Sequence, residues 1–464
     1  MSQFAGSLTR HPARLSFFWF AGTIALGMIL LTLPFCRGER SVQSQQPISW
    51  LDAAFTSTSA VCVTGLTVRS TGHDYSFAGQ AVIAALIQVG GIGIMTVTTF
   101  VSFTFGARES LRQRAIISET LGAGSQADIR WVLRGVLIAT LAVEAFGAAI
   151  LAVNFAWRHG FPWGEALWQG VFHSIAAFCN AGFGLEDDNL MRYQRDPVVN
   201  FTIAIEIILV GIGFPVILDW HRQRVHPIGE RWGHLLLHSK LMLLGTALLL
   251  LLGMIAFLVL EWDGALAGKP LAQKLMTSLF ESTTPRTAGF NTVDYSKLTD
   301  ATLFVTMLLM LIGAGPCSTG GGFKVSTFMV LACRAWSTFQ GFGKVHVFRR
   351  SITHQIVERA VATALLFSII ASIGLMMLLT IEQSAGPGNN GGAGFRDMAF
   401  ECVSALGTVG LSTGVTTKLS SLGRLIIIAL MFLGRLGPLT VFIALARSER
   451  DRKIEFAAEE PLVG

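Results

Sequence analysis

The chain has 464 residues, of which 52% are hydrophobic and only 14% charged, and its formal net charge is +6. Soluble domains of average composition carry about 25% charged residues. The composition therefore argues against a soluble multidomain protein and indicates a polytopic membrane protein. Basic loops that orient such a protein explain the positive charge without nucleic acid. The 6 cysteines show no Cys-x-x-Cys spacing, which argues against a zinc site or a disulfide framework.

Long apolar segments follow one another along the chain, each with the roughly 20 residues that a helix needs to cross a bilayer. The segments are 15–35, 77–105, 132–157, 198–220, 239–262, 301–331, 360–382 and 422–446. The first begins without a signal-peptide pattern. Stretches rich in Gly, Ser and Thr separate the members of a pair, and basic stretches join successive pairs. The positive-inside rule then predicts that both termini are cytoplasmic and that the Gly-rich stretches face outward.

The outer stretches repeat a common pattern. Residues 50–66 align without a gap with residues 395–411, and the two middle stretches share their endings. Each stretch predicts a short helix followed by a tripeptide that ends in glycine. The four tripeptides are Val63-Thr64-Gly65, Asn180-Ala181-Gly182, Thr287-Ala288-Gly289 and Thr408-Val409-Gly410. A second glycine landmark recurs in the helix that follows each tripeptide, at Gly91-Ile92-Gly93, Gly211-Ile212-Gly213, Gly313-Ala314-Gly315 and Gly434-Arg435-Leu436-Gly437.

This repetition predicts an all-α polytopic membrane protein with four helix–pore-loop–helix repeats, eight spanning helices in all, around a pseudo-fourfold pore. The predicted boundaries are 1–107 for repeat 1, 108–222 for repeat 2, 223–350 for repeat 3, 351–447 for repeat 4 and 448–464 for a cytoplasmic tail.

The short helices are too short to span the bilayer, so each loop must enter it and return to the same side. Irregular backbone at that depth is tolerated where protein buries it or water reaches it. Four loops around one axis satisfy this condition and present rings of carbonyl oxygens that replace the hydration shell of K⁺. Glycine permits the necessary turn, and each short helix directs its negative end at the pore. The competing interpretation is that these glycines only pack helices together.

The four loops, together with the run from Gly313 to Lys324, closely resemble the Trk/Ktr/HKT superfamily of potassium transporters. The resemblance covers nearly the whole chain, and the early first pore unit is similar to the bacterial KtrB branch. It implies K⁺ uptake across the bacterial inner membrane by a homodimer. It also implies a separately encoded cytosolic ring of nucleotide-binding (RCK, KtrA-like) subunits, transport that Na⁺ commonly stimulates, and no covalently bound cofactor.

The resemblance assigns the ion selectivity filter, with K⁺ as its ligand, to the twelve residues of the four tripeptides. A serine in place of the first glycine is associated with sodium-permeable plant relatives. Only Thr408-Val409-Gly410 reads like a potassium-channel filter. The other three tripeptides are degenerate, which suggests fewer well-formed ion sites.

The sixth apolar segment is interrupted, because Pro316 and three consecutive glycines cannot continue a straight helix. The resemblance implies that this interruption is an intramembrane gating loop and that Arg435 contacts it. The predicted gate residues are Gly313, Gly315, Pro316, Ser318, Thr319, Gly320, Gly321, Gly322, Lys324 and Arg435. Two alternatives stay open: Arg435 reaching the cytoplasmic surface, and Lys324 as an ordinary interface lysine.

Other polar residues have two interpretations each. Glu144 and Glu206 suit a proton or sodium site, or helix-to-helix hydrogen bonds. Glu281 and Glu401, which precede their filter glycines, are expected to pin the short helices. Histidines crowd the second basic join, where their spacing loosely resembles a metal cluster, although a soluble loop on the partner-facing side is the commoner explanation; they are His221, His226, His234 and His238.

Two other classes of function compete with ion conduction. A secondary cation transporter with alternating access binds its substrate at broken helices, but its usual design has two inverted halves. A membrane enzyme needs a nucleophile with a base, or a metal set, and no such motif falls within a span. The sequence therefore favours a potassium pore that is not an enzyme.

Overall fold

The structure of the protein, a computed structural model, describes residues 12–43, 48–105, 126–384 and 394–437. The first predicted repeat contains α1 (Pro12–Thr32), α2 (Glu39–Gln43), α3 (Trp50–Val61) and α4 (Phe77–Phe105). The second contains α5 (Gln126–Arg158), α6 (Trp163–Phe178), α7 (Pro197–Ile212) and α8 (Phe214–Arg222). The third contains α9 (Ile228–His234), α10 (Leu237–Leu260), α11 (Leu271–Thr283), α12 (Asp300–Leu311) and α13 (Val325–Phe339). The fourth contains α14 (His354–Ser384), α15 (Phe395–Gly407) and α16 (Ser421–Leu436).

A two-stranded antiparallel hairpin between α13 and α14 departs from the predicted all-helical fold. Its strands are β1 (Val345–Val347) and β2 (Arg350–Ile352), and Val345 pairs with Ile352. The connection has Phe348 and Arg349 at positive φ, as a tight hairpin turn requires. Val345 and Ile352 of the hairpin are buried in a small cluster with residues of α10, α13 and α14.

Several helices are apolar enough for a membrane. Within the described residues, 134–158, 237–260 and 354–383 each pass a length and hydropathy test for a spanning helix, and shorter apolar helices cover 16–32, 77–93 and 300–311. Helix α10 exposes leucines such as Leu248, Leu251 and Leu252, as a lipid-facing surface does. The fold is thus a mostly helical membrane bundle, and the count of eight spans remains a prediction.

The apolar segment at 198–220 is bent, although the hydropathy pattern predicts a single span. Helices α7 and α8 pass the spanning test together but meet at an angle of 84°. The bend lies at Gly213, whose φ is +93°, and Pro215 follows in the first turn of α8. A Cβ atom on Gly213 would lie 2.6 Å from the carbonyl oxygen of Pro316, so the interrupted segment of the third repeat passes directly against this bend.

The four short helices α3, α6, α11 and α15 lie in the centre of the bundle. Each buries a phenylalanine almost completely, namely Phe55, Phe172, Phe280 and Phe400. Because lipid is as apolar as these side chains, their packing stabilises the bundle mainly through dispersion contacts. The Oγ atom of Ser49 accepts a hydrogen bond from the Asp52 amide (3.0 Å) and caps the N-terminus of α3.

Candidate functional site

The backbone has the same unusual conformation at all four predicted filter tripeptides. The first residue of each has positive φ, at 55° for Val63, 58° for Asn180, 69° for Thr287 and 50° for Thr408. The glycine that ends each tripeptide is also at positive φ, between 67° and 99°. A left-handed conformation costs a residue with a Cβ about 1–2 kcal/mol. Four such residues in equivalent positions are strained backbone of the kind found at functional sites.

The four glycines form a closed ring, each facing the next loop in chain order. A Cβ atom added to Gly65 would lie 2.4 Å from the carbonyl oxygen of Ala181, and one on Gly182 would lie 2.6 Å from that of Ala288. The ring continues from Gly289 to the Val409 oxygen, at 2.3 Å. It closes from Gly410 to the Thr64 oxygen, at 2.0 Å. Only glycine fits such an approach, and each of these glycines packs on the backbone of another loop.

The tripeptides are tied back to the short helices in the same way in the first and fourth loops. The amide of Thr64 donates to the Ser59 carbonyl and the amide of Val409 to the Ser404 carbonyl, both at 2.8 Å. The hydroxyl oxygens of these serines accept from the amides of Gly65 (3.0 Å) and Gly410 (3.1 Å). The amides of the last two residues of these two tripeptides are therefore bonded to the supporting short helix.

Oxygen atoms surround this axis, and a cavity opens above it. Buried side-chain oxygens of Thr64, Asn180 and Thr408 have no protein hydrogen-bond partner. A cavity of about 480 Å³ is lined by all four filter glycines and by acids that include Asp187. Burial raises the pKa of the Asp187 carboxyl, but hydrogen bonds from Ser70 and Arg40 and the charge of Arg40 outweigh it and hold that pKa below its ordinary value. Neutral oxygens below an anionic mouth suit a poorly hydrated monovalent cation such as K⁺.

The predicted gate segment lies directly beneath the ring. Helix α12 ends at Leu311 and α13 begins at Val325, so residues 312–324 interrupt the segment. A Cβ atom on Gly320 would lie 2.3 Å from Thr287 Oγ1, and one on Gly321 would lie 2.2 Å from Thr408 Oγ1. The first residues of two of the tripeptides, Thr287 and Thr408, therefore lie against the glycine backbone of this loop.

Hydrogen bonds hold the loop to its neighbours. The Gly313 amide donates to the Phe323 carbonyl (2.7 Å), which closes the loop on itself. The Gly315 amide donates to the Gly211 carbonyl (2.8 Å), at the glycine landmark of the second repeat. The Ser318 hydroxyl donates to the Gly315 carbonyl (2.6 Å).

Arg435 reaches this loop from α16. Its side chain is 3% exposed, and its guanidinium donates to the carbonyl oxygen of Thr319 and, at 2.7 Å, to that of Gly90 in α4. An intramembrane cation bound to backbone carbonyls is typical of a functional position. These contacts do not fit an arginine that extends to the membrane surface.

Lys324 also turns towards the loop. Its Nζ donates to the Gly320 carbonyl (2.5 Å) and the Gly321 carbonyl (3.3 Å). Two cations are therefore bonded to three consecutive carbonyl groups, those of residues 319–321, and stabilise them in a single conformation.

Glu281 and Glu401 act as expected and pin the outer returns of their loops. Glu281 accepts from the Thr292 amide (3.0 Å) and the Tyr295 hydroxyl (2.5 Å). Glu401 accepts from the hydroxyls of Ser412 and, at 2.9 Å, Thr416.

Glu144 and Glu206 make helix-to-helix hydrogen bonds behind the second loop. The Gln88 amide donates to Glu144 (2.8 Å) and the Ser174 hydroxyl to Glu206 (2.6 Å). Of the two interpretations of these glutamates, the contacts match the one in which they form hydrogen bonds between helices.

Asp52 has a role that the sequence did not reveal. It is 3% exposed and pairs with Arg69 (3.0 Å) and with Arg424 of the fourth repeat (2.7 Å). It thereby joins the first and fourth repeats. The sequence alignment places Asp52 opposite Asp397 but does not show which residues Asp52 contacts, because Arg69 and Arg424 lie outside the aligned stretches.

Comparisons with known proteins identify the family of this chain. The family model TrkH, described as "Cation transport protein", matches residues 27–455. The Ktr system potassium uptake protein B of Bacillus subtilis is 37% identical, over 92% of each chain. The Potassium/sodium uptake protein NtpJ of Enterococcus hirae is 35% identical, over 98% of this chain and 97% of that protein.

A solved structure supports the fold. The crystal structure of the potassium transporter TrkH from Vibrio parahaemolyticus matches with a TM-score of 0.72 and 18% identity, covering 93% of this chain and 83% of that chain. The resemblance drawn from the loop motifs is thus confirmed. The chain belongs to the TrkH family of cation transport proteins.

Proposed function

We propose that this protein is the pore-forming subunit of a Ktr-type K⁺ uptake system, in which four re-entrant loops select the ion by their backbone carbonyls. The observation that carries the proposal is the closed ring of Gly65, Gly182, Gly289 and Gly410, each packed against a carbonyl of the next loop. Such a ring replaces the hydration shell of a K⁺ ion with neutral oxygens. Relatives named for potassium uptake support K⁺ as the ion.

The loop at 312–324 acts as the gate of this pore. Its glycine backbone contacts the side chains of Thr287 and Thr408 at the base of the filter, where an ion that leaves the filter must pass. The positive charges of Arg435 and Lys324 beside it oppose the passage of a cation. Opening requires the loop to give up at least the bond between Arg435 and the Thr319 carbonyl, so the arginine acts as a latch and an electrostatic barrier.

The finer features of the assembly belong to the same proposal. Hydropathy and repetition support eight spans in four repeats, and the positive-inside rule puts the basic joins and both termini on the cytoplasmic side. A bacterial inner membrane follows from the resemblance to the Ktr branch. A homodimer and a cytosolic ring of nucleotide-binding subunits follow from the resemblance to the Ktr branch. Stimulation by Na⁺ is proposed on the same basis, and the name of the Enterococcus hirae relative includes sodium.

Uptake of K⁺ or rubidium-86 in a bacterium without its own potassium transporters tests the function. We expect the wild-type chain, co-expressed with a matching regulatory subunit, to restore growth at low K⁺. Gly289→Ser should abolish uptake or admit Na⁺, because its Cβ would meet the Val409 carbonyl at 2.3 Å and the backbone is at φ 79°. Gly268→Ser is the matched control, since Gly268 also has positive φ (69°) but no neighbour within 4 Å.

Failure of the wild type to restore uptake would reject the potassium pore and favour a secondary transporter with alternating access. If the wild type restores uptake and Gly289→Ser has the same ion selectivity as the wild type, K⁺ transport is supported but the assignment of the filter to this ring is rejected.

A further inference from the structure

We propose that the elbow between α8 and α10 contains a binding site for a divalent transition metal of the zinc class, formed by His226, Glu230 and His234. One ligand atom from each of the three side chains lies within 4.8 Å of the other two. His226 follows α8, whereas Glu230 and His234 are four residues apart on α9 and so share one helix face. The site differs chemically from the proposed filter, because it offers imidazole nitrogens and a carboxylate instead of neutral oxygens.

The two imidazole rings already lie face to face. The rings of His226 and His234 are stacked with centroids 3.9 Å apart and an angle of 3° between their planes. Ligands at 2.0–2.1 Å from a tetrahedral ion lie about 3.4 Å from one another. The ligand atoms lie within 4.8 Å of one another, so each pair has at most about 1.4 Å to close to reach that distance.

The backbone that carries these ligands is fixed by buried hydrogen bonds. Asp219 of α8 is 2% exposed and accepts from the Leu236 amide (3.0 Å) and the Ser239 hydroxyl (2.5 Å) at the start of α10. The Arg231 side chain donates to the His226 carbonyl (3.0 Å). The elbow therefore holds His226 against α9 without a metal, and this lowers the entropic cost of binding one.

The chemistry of the ligand set selects the class of metal. Two histidines and one glutamate form a known zinc ligand set that leaves a fourth position for water or another ligand. Imidazole suits Zn²⁺, Ni²⁺ and Cu²⁺, whereas Mg²⁺ and Ca²⁺ prefer oxygen ligands. Arg224 and Arg231 add positive charge around the elbow. That charge weakens the binding of ions that are held mainly by electrostatic attraction. It matters less for ions that are held by coordinate bonds to nitrogen.

A metal at this position would join the segment after α8 to α9, and this connection links two helices that lie near the proposed gate. Helix α8 begins after Gly213, which packs on the Pro316 carbonyl, and Met242 of α10 lies beside Gly315. Binding would therefore stiffen the connection between these two supports of the loop. The ligands themselves are largely exposed, so an ion can reach them from solution.

The test is a Zn²⁺ titration of the purified full-length chain in detergent, with the affinity tag removed and a chromophoric chelator as competitor. We expect one Zn²⁺ per chain, and visible absorption of Co²⁺ at the same site. His226→Asn and His234→Asn should each weaken Zn²⁺ binding by at least roughly 10- to 100-fold. The loss of a residue that only hydrogen-bonds to a metal ligand already costs that much affinity, and these two histidines are ligands themselves. His221→Asn, which changes an exposed histidine in the last turn of α8, should bind as wild type does.

Equal affinity in wild type, His226→Asn and His234→Asn would overturn the proposal, as would a wild-type chain with no saturable Zn²⁺ binding. Retained K⁺ uptake by the two variants would show that they are folded. Because the readout is metal affinity, the result does not depend on whether the filter conducts K⁺.

Discussion

Arg435→Gln should raise ion flux through the protein in the absence of any regulatory subunit. In the structure the guanidinium donates to the Thr319 carbonyl of the loop and to the Gly90 carbonyl of α4. A hydrogen bond from a charged donor contributes about 1.5–3 kcal/mol. If opening breaks the Thr319 bond alone, its loss shifts the closed-to-open equilibrium by roughly 10- to 100-fold, since about 1.4 kcal/mol corresponds to a factor of ten. The measurement is rubidium-86 uptake into proteoliposomes at equal protein density.

Arg435→Lys separates the latch from the electrostatic barrier. Lysine keeps the positive charge but lacks the planar fork that reaches two carbonyls at once. We therefore expect its flux to lie between those of the wild type and Arg435→Gln. Flux of Arg435→Gln within about twofold of wild type, in protein that elutes as a single species, would refute the latch, because even one charged hydrogen bond predicts a larger change.

Two further changes test the loop and its scaffold. Deletion of Gly320–Gly322 should raise basal flux, because it removes the backbone that contacts the base of the filter; rubidium-86 uptake without a regulatory subunit measures this, and unchanged flux would reject the gate. Glu401→Ala should lower the free energy of unfolding by about 1–3 kcal/mol, because it leaves the hydroxyls of Ser412 and Thr416 without their acceptor. A thermal melt in detergent checks it against exposed Glu165→Ala, and equal melting temperatures would contradict the pinning role.

Much of the architecture could be predicted because it depends on local properties of the chain. Hydropathy located the apolar helices, since a segment in lipid must be apolar along its whole length. The glycines that end the tripeptides were identifiable because few other residues adopt positive φ. The interruption at 312–324 was predicted for an equally local reason, since Pro316 and three glycines cannot form a regular helix.

The 84° bend at Gly213 was not predicted, although Gly211 and Pro215 lie beside it, because hydropathy does not distinguish one straight apolar span from two apolar helices joined at a bend. The sequence also left Lys324 and Arg435 with two interpretations each. Their long side chains can reach several environments, and the choice depends on which carbonyls another repeat brings near.

By itself, the sequence determined that this is a membrane protein with four similar loops and a broken sixth segment, since composition, repetition and glycine spacing are properties of the chain alone. Only the tertiary structure decided that the loops follow one another around a ring and that Gly320 and Gly321 of the interrupted segment lie against Thr287 and Thr408. It also decided that Asp52 joins the first and fourth repeats through Arg424. These contacts link residues between 33 and 372 positions apart, and their geometry depends on how whole helices pack, which no local pattern encodes.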